Sequence, residues 1–129
     1  MRVHLDTDFL VFALSTSGPE RRRLLALAES EAEIEMSAVA WYEFVRGPRT
    51  PEQLAVGRSF FSSEGIVPLS EELAARAGEV FRRLGSPRRR AADIAIGVTA
   101  AAREALLLSR NAADFAGIAA LDVEPVRSA

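Results

Sequence analysis

The chain has 129 residues, 49% of them apolar, which is enough for one domain with a buried core. It contains no cysteine and one histidine, so disulfides, thiolate nucleophiles and cysteine-based zinc sites are excluded, and a histidine-rich metal site or a Ser-His-Asp arrangement is disfavoured. The net charge of −2 argues against a protein that coats polyanions, and all 16 basic residues are arginine.

No apolar run approaches the roughly 18 residues that a membrane-spanning helix needs, and the N-terminus lacks the pattern of a signal peptide. We therefore expect a cytoplasmic protein with no membrane association and a single domain over residues 1–129.

Short apolar strands alternate with helical segments along the whole chain. The first strand, Arg2–Leu5, ends at Asp6, and an apolar helix follows it and stops before Gly18-Pro19. The later predicted helices are about 20–32, 38–45, 51–61, 71–84 and 90–103, with a helical turn at 112–115. The later predicted strands are 34–37, 106–108 and one centred on residue 123, and residues 66–68 are a short strand or an extended link. This alternation predicts a three-layer α/β/α fold whose central sheet has four to five mostly parallel strands.

Four carboxylates lie close to the ends of these predicted strands. Asp6 follows the first strand directly, Glu43 lies one to two turns into the helix after the second, Asp93 lies in the first turn of its helix, and Asp114 comes just after the strand 106–108. Ligands of parallel sheets bind at the carboxyl ends of the strands, so we expect these acids to meet. Several carboxylates in one cleft repel each other, and a divalent cation is the natural counter-charge.

The residue types point to a specific chemistry. Oxygen ligands without imidazole or thiolate select Mg²⁺ or Mn²⁺ rather than zinc. Phosphodiester hydrolysis depends mainly on positioning and charge neutralisation, so it requires no protein nucleophile. Ser109 and Asn111 can orient carboxylates, water or phosphate. The sequence therefore predicts a metal-dependent enzyme that cleaves phosphodiesters.

Each acid also has a structural interpretation when it is taken alone. Asp6 and Asp8 can be helix caps, Glu43 a surface glutamate, Asp93 a helix-start anion and Asp114 a turn residue. Their joint occurrence favours a shared site.

The ordered motifs resemble a known family, the PIN domain. They are Leu5-Asp6-Thr7-Asp8, Ser37 with Glu43, Asp93-Ile94-Ala95-Ile96, and Ser109-Arg110-Asn111-Ala112-Ala113-Asp114-Phe115. Their order and the chain length look like the VapC-type toxins of prokaryotic toxin–antitoxin pairs. The resemblance implies an Mg²⁺- or Mn²⁺-dependent endoribonuclease, usually a homodimer, held inactive by a cognate VapB-type antitoxin whose tail enters the acidic groove.

Carried over residue by residue, the resemblance makes four acids the catalytic and metal-binding set: Asp6, Glu43, Asp93 and Asp114. Ser109 takes the hydroxyl position and Asn111 follows it, while Thr7 and Asp8 support the ligands from beside them. Because the set is complete, we expect an active nuclease. The alternative is a catalytically silent PIN-like module that sequesters a protein or RNA partner, whose signature would be the loss of an acid.

Four arginines are candidate contacts to RNA phosphates. Arg88, Arg89 and Arg90 directly precede the Asp93 helix, and Arg110 lies inside the last motif. A solvated loop is the alternative for the arginine triplet.

Neighbouring residues are expected to serve packing. Two of the three aromatic residues Trp41, Tyr42 and Phe44 should lie in the core, His4 should be structural, and Gly97 should let its helix approach the sheet closely.

Two rival enzyme classes share the Asp6-Thr7-Asp8 start or an acidic pocket. Haloacid-dehalogenase-type phosphatases and response-regulator receiver domains both rely on a lysine. This chain has none, so both classes are disfavoured.

Overall fold

The computed structural model describes residues 1–128, which form five strands and six α-helices. The strands are β1 Arg2–Leu5, β2 Glu33–Ser37, β3 Ile66–Val67, β4 Leu106–Ser109 and β5 Asp122–Pro125. The helices are α1 Thr7–Ser15, α2 Pro19–Ala28, α3 Ala38–Val45, α4 Pro51–Arg58, α5 Glu71–Arg83 and α6 Ala91–Ala102. There are also two short 3-10 helices: the first, Arg88–Arg90, precedes α6, and the second, Ala112–Phe115, follows β4.

All strand pairs in the sheet are parallel, in the order β3-β2-β1-β4-β5. The central strand β1 pairs on both sides, with Val3 opposite Ile34 of β2 and opposite Leu106 of β4. Val3, His4 and Leu5 are consecutive and fully buried, which is expected when helices cover both faces of a parallel sheet. The predicted three-layer α/β/α fold is confirmed.

Two helices end earlier than the sequence predicts. Both ends carry a serine whose hydroxyl donates to a carbonyl three residues back: Ser30 to Leu27 after α2, and Ser59 to Val56 after α4. Such local bonds compete with continuation of the helix.

The expected packing residues are mostly where they were predicted. Phe44 is buried and Trp41 stacks on it with ring centroids 5.4 Å apart, while Tyr42 is exposed. His4 is structural, with its Nε2 2.8 Å from Glu35. Within residues 1–128, no helix is both long enough and apolar enough to cross a bilayer.

The prediction for Gly97 named the wrong neighbour. A Cβ at this position would lie 2.6 Å from Ile118 Cδ1 and 3.1 Å from Leu121 Cδ2, so the close approach is to the segment after the second 3-10 helix and not to the sheet. This contact holds α6 beside the turn that carries Asp114.

Candidate active site at the carboxyl end of the sheet

A cavity of about 460 Å³ opens where β1 and β4 end, and all four predicted acids line it. Its lining residues are Asp6, Thr7, Asp8, Val11, Glu43, Arg46, Gly47, Arg49, Asp93, Asn111 and Asp114. Acids from four separate stretches of the sequence therefore share one space.

Asp6 is fixed at both carboxylate oxygens. It is the N-cap of α1, where its Oδ1 accepts from the Thr7 backbone N–H at 2.8 Å, and its Oδ2 accepts from Ser109 Oγ at 2.9 Å. Ser109 Oγ in turn accepts the backbone N–H of Asn111 at 2.9 Å. Asp6 is therefore a helix cap and a cavity residue at once, and Ser109 connects it to the loop after β4.

Glu43 is oriented from α1. Thr7 Oγ1 donates to Glu43 Oε1 at 2.7 Å, and Arg46 Nη2 lies 3.9 Å from Oε2. The helix that carries Glu43 begins directly after β2, where Ser37 Oγ accepts from Ala40 N at 3.1 Å. Thr7 and Ser37 thus set the direction in which this carboxylate points.

The other two acids come from the second half of the chain. Asp93 is half-buried in the first turn of α6, and Asp114 is exposed on the second 3-10 helix. Arg90 supports that helix by donating to the backbone carbonyls of Asp114 at 3.1 Å and Ala116 at 2.5 Å. Arg90 therefore positions Asp114 through the main chain.

Two of the acids have raised pKa values. Burial raises the pKa of Asp6 to about 6, against the lowering effect of its hydrogen bonds from Ser109 and Thr7. Burial, followed by the charges of Asp6, Asp114, Glu43 and Asp8, raises the pKa of Asp93 to about 7. Burial and the neighbouring carboxylates therefore both disfavour ionisation of these two acids in the absence of a cation.

Oxygen donors alone supply the possible metal ligands here, which suits Mg²⁺ or Mn²⁺. Within residues 1–128, no three Asp, Glu or His side chains stand close enough to form a ready-made ligand cage. Mg²⁺ needs no such cage, because it takes one or two protein carboxylates and keeps several waters. The donor set and the raised pKa values of Asp6 and Asp93 fit a hydrated divalent ion.

The predicted arginines do not line the cavity. Arg88 and Arg89 are exposed on the first 3-10 helix, and Arg90 binds main-chain carbonyls. Arg110 turns away from the cavity and binds Glu20.

Arg46 and Arg49 line the cavity instead, and the sequence interpretation missed both. Arg46 lies three residues after Glu43, on the same side of a helix, and this spacing was a usable signal. Arg49 follows Gly47-Pro48 beyond the end of α3, where no periodicity indicates direction.

Comparison with known proteins places the chain in a family. The PIN domain profile matches residues 3–121. The chain is similar in structure to VapBC2 from Rickettsia felis bound to a DNA fragment of its promoter, with a TM-score of 0.75, 21% identity, and coverage of 98% of this chain and 100% of that one.

Two further solved structures are alike in fold. A toxin–antitoxin complex from Klebsiella pneumoniae gives a TM-score of 0.70 at 24% identity, covering 92% of this chain and 94% of that one. DNA-bound VapBC from Salmonella typhimurium gives a TM-score of 0.69 at 19% identity, covering 97% of this chain and 98% of that one. No curated protein matches the chain in sequence. With the profile matching nearly its whole length, this chain belongs to the PIN domain family.

Proposed function

We propose that this protein is an Mg²⁺- or Mn²⁺-dependent endoribonuclease that acts in the cytoplasm as the toxin of a toxin–antitoxin pair. The observation that carries the proposal is the cavity into which Asp6, Glu43, Asp93 and Asp114 project together. Membership of the PIN domain family and the likeness in fold to VapBC complexes support it.

Different residues of the cavity would have different roles in hydrolysis. Asp6 and Asp93, the two acids with raised pKa values, would hold the cation, with Glu43 and Asp114 completing the negative wall. The cation, when bound, supplies charge neutralisation for the phosphodiester and assists attack by water. Thr7 and Ser109 hold Glu43 and Asp6 in place through side-chain hydrogen bonds. Arg46 and Arg49 bring positive charge to the rim, where RNA phosphates flanking the cleaved bond would lie.

An apolar groove beside the cavity supports the proposal of an antitoxin partner. The groove, of about 410 Å³, lies between α1 and α4 and shares Val11 and Arg49 with the acidic cavity. It continues into a recess lined by Leu25, and the side chains of Leu25 and Val56 remain about half exposed. A partner segment with apolar residues for this groove and a cation at one end would cover the groove and fill the cavity.

The function is tested by RNA cleavage with Mg²⁺ or Mn²⁺ and with EDTA, using the wild type, Asp6→Asn and the control Asp122→Asn. Asp122 is an exposed acid on β5, outside the cavity. We expect cleavage only with the metal, its loss in Asp6→Asn and its retention in the control. Cleavage that survives both EDTA and Asp6→Asn would contradict the metal mechanism. RNA binding without cleavage by the wild type would favour the silent binding module.

The homodimer that the resemblance implies stays a prediction. Light scattering of the purified protein at several concentrations tests it directly.

A further inference from the structure

The loop after β4 joins the acidic cavity to the rest of the molecule. We call residues 109–114, which run from the last residue of β4 into the second 3-10 helix, the 109–114 loop. It contains Ser109, which donates to Asp6 at 2.9 Å, together with Asn111 and Asp114, which line the cavity. Because the Asn111 N–H donates to Ser109 Oγ at 2.9 Å, a shift of this loop changes the hydrogen bond that fixes Asp6.

Arg110 anchors the 109–114 loop on the side away from the cavity. Its Nε donates to Glu20 Oε2 at 2.9 Å, and its guanidinium carbon lies 3.5 Å from the centroid of the Phe12 ring. The Arg110 side chain is 13% exposed. Glu20 of α2 therefore sets the direction of the guanidinium, and the Phe12 ring of α1 sets its plane.

Glu20, the other half of this contact, is fully buried in the first turn of α2. Oε2 also accepts the backbone N–H of Ser128 at 3.0 Å and Ser128 Oγ at 3.1 Å, while Oε1 has no hydrogen-bond partner within residues 1–128. Gly18 leaves room for it, since a Cβ there would lie 3.3 Å from Oε1. Burial acts to raise the pKa of Glu20, but the donors from Ser128 and Arg110 outweigh it and the pKa is lowered.

Attachment of α2 does not account for this buried charge. The same helix is already tied to β5 by Arg23, whose Nε and Nη2 donate to Glu124 at 2.8 and 3.0 Å in a half-exposed ion pair. A well-packed apolar residue at position 20 would join the elements at least as well, because taking a carboxylate out of water is costly. What an apolar residue cannot supply is a fixed acceptor for Arg110.

We propose that Glu20 is a positioning residue of the active site, which holds Arg110 and through it fixes the 109–114 loop, Ser109 and the Asp6 carboxylate. The consequence for catalysis rests on the proposed nuclease function. The consequence for loop geometry does not.

The experiment compares three variants of the full chain. Glu20→Gln removes the charge and keeps the shape. Arg110→Lys keeps a cation but loses the flat guanidinium and its Nε–H, so it disturbs the same contact more mildly. Arg23→Gln is the matched control, since it breaks an α2 ion pair that does not involve the 109–114 loop. Each is measured at a temperature where circular dichroism shows it folded, by amide hydrogen exchange at Asn111, by Mn²⁺ titration and by RNA cleavage.

We expect Glu20→Gln and Arg110→Lys to speed exchange of the Asn111 amide and to weaken Mn²⁺ affinity by about ten- to 100-fold, the usual effect of removing an outer support of a ligand. kcat should fall with KM nearly unchanged, and the Arg23→Gln protein should match the wild type in all three measurements. If Glu20→Gln does not fold, Arg110→Lys alone decides.

Wild-type exchange at Asn111 in the tested variants, together with wild-type Mn²⁺ affinity, would overturn the proposal, even if the melting temperature fell. A wild type that neither cleaves RNA nor binds Mn²⁺ would defeat the proposed function, and the exchange measurement would still decide the role of Glu20.

Discussion

Asp93 is an acid whose ionisation opposes folding in the absence of a cation. Its pKa is about 7 in the folded protein, against 3.8 ordinarily, because of burial and the charges of Asp6, Asp114, Glu43 and Asp8. The unfolded chain therefore releases this proton at lower pH than the folded chain does. The contribution of Asp93 to stability falls as pH rises from about 4 to about 7, and is constant above that. A carboxylate in an ion pair has a lowered pKa in the folded protein, so its contribution to stability rises with pH instead.

We therefore predict that Asp93→Asn raises the melting temperature of the metal-free protein at pH 8 and changes it little at pH 4. Asparagine keeps the shape and cannot ionise. Asp122→Asn, on exposed β5, is the control and should show no such pH-dependent difference. The measurement is thermal unfolding in EDTA across this pH range. A lower melting temperature for Asp93→Asn at pH 8 would identify the carboxylate as a helix-start anion that stabilises α6.

The rim arginines carry a prediction about RNA. Replacing Arg46 and Arg49 together with glutamine should weaken binding and reduce the slope of log affinity against log salt by about 0.7 for each phosphate that an arginine no longer neutralises. Arg76→Gln is a suitable control, because Arg76 is an exposed residue of α5 that lies outside the cavity and pairs with Glu72 in its own helix. Binding is measured with the Asp6→Asn protein, in which we expect no cleavage. An unchanged salt slope would show that neither arginine contacts the RNA.

The same assay on Arg88→Gln and Arg89→Gln tests the phosphate contacts that were expected from the sequence.

At the scale of the helix, two glycines allow a matched comparison. Gly97 in α6 has no room for a methyl group beside Ile118, while Gly78 in α5 meets only the end of Arg82 at 3.9 Å. Gly97→Ala should destabilise the protein by about 1–3 kcal/mol through overpacking. Gly78→Ala should stabilise it by about 0.5–1 kcal/mol, because alanine loses less backbone entropy in a helix. Denaturant unfolding measures the change in the free energy of unfolding for both variants. Changes of the same sign would contradict the close packing of α6 at Gly97.

The apolar groove between α1 and α4 supports a prediction about the antitoxin. Val56→Glu places a charge in the groove and should weaken antitoxin binding while RNA cleavage stays unchanged, because Val56 does not line the acidic cavity. Leu69→Glu alters a similarly exposed apolar residue outside the groove and should leave binding intact. Calorimetry with the proposed antitoxin, to be sought as the product of a neighbouring gene, measures both. Equal affinities for the two variants would place the partner elsewhere.

The bounds of an element were predicted correctly where capping or helix-stopping residues lie at both of its ends. The bounds of α3 were correct because Ser37 caps its start and Gly47-Pro48 follows its end. Long-range contacts were not readable in the same way. The sequence interpretation gave Arg110 to RNA because it lies inside an acidic motif, whereas in the structure it pairs with Glu20, 90 positions away.

For the whole molecule, divalent cations should stabilise the fold in a pH-dependent manner. We expect Mn²⁺ to bind the folded state more tightly than the unfolded chain and therefore to raise the melting temperature by linkage. The rise should be larger at pH 8 than at pH 5, because Asp6 and Asp93, with pKa values of about 6 and 7, release protons between these two conditions. The measurement is the melting difference between Mn²⁺ and EDTA at each pH, with Asp6→Asn as the variant that should lose most of it. A rise that Asp6→Asn retains would place the cation outside the cavity.

The parallel layering of the fold followed from strand and helix alternation, and the meeting of the acids followed from the rule that strand carboxyl ends share one edge. The strand order was not predictable in the same way. Nothing in the apolar runs 3–5 or 106–108 shows that they are neighbours, since any buried strand could take the central place.

The central place of β1 has a consequence for synthesis of the protein. Asp6 is synthesised before its hydrogen-bond partner Ser109, which lies 103 residues later in the chain, and β1 lies between β2 and β4 in the sheet. A nascent chain that stops short of β4 has its first acid but no finished cleft. The proposed nuclease would therefore lack its complete cavity until β4 and the residues that follow it have been made.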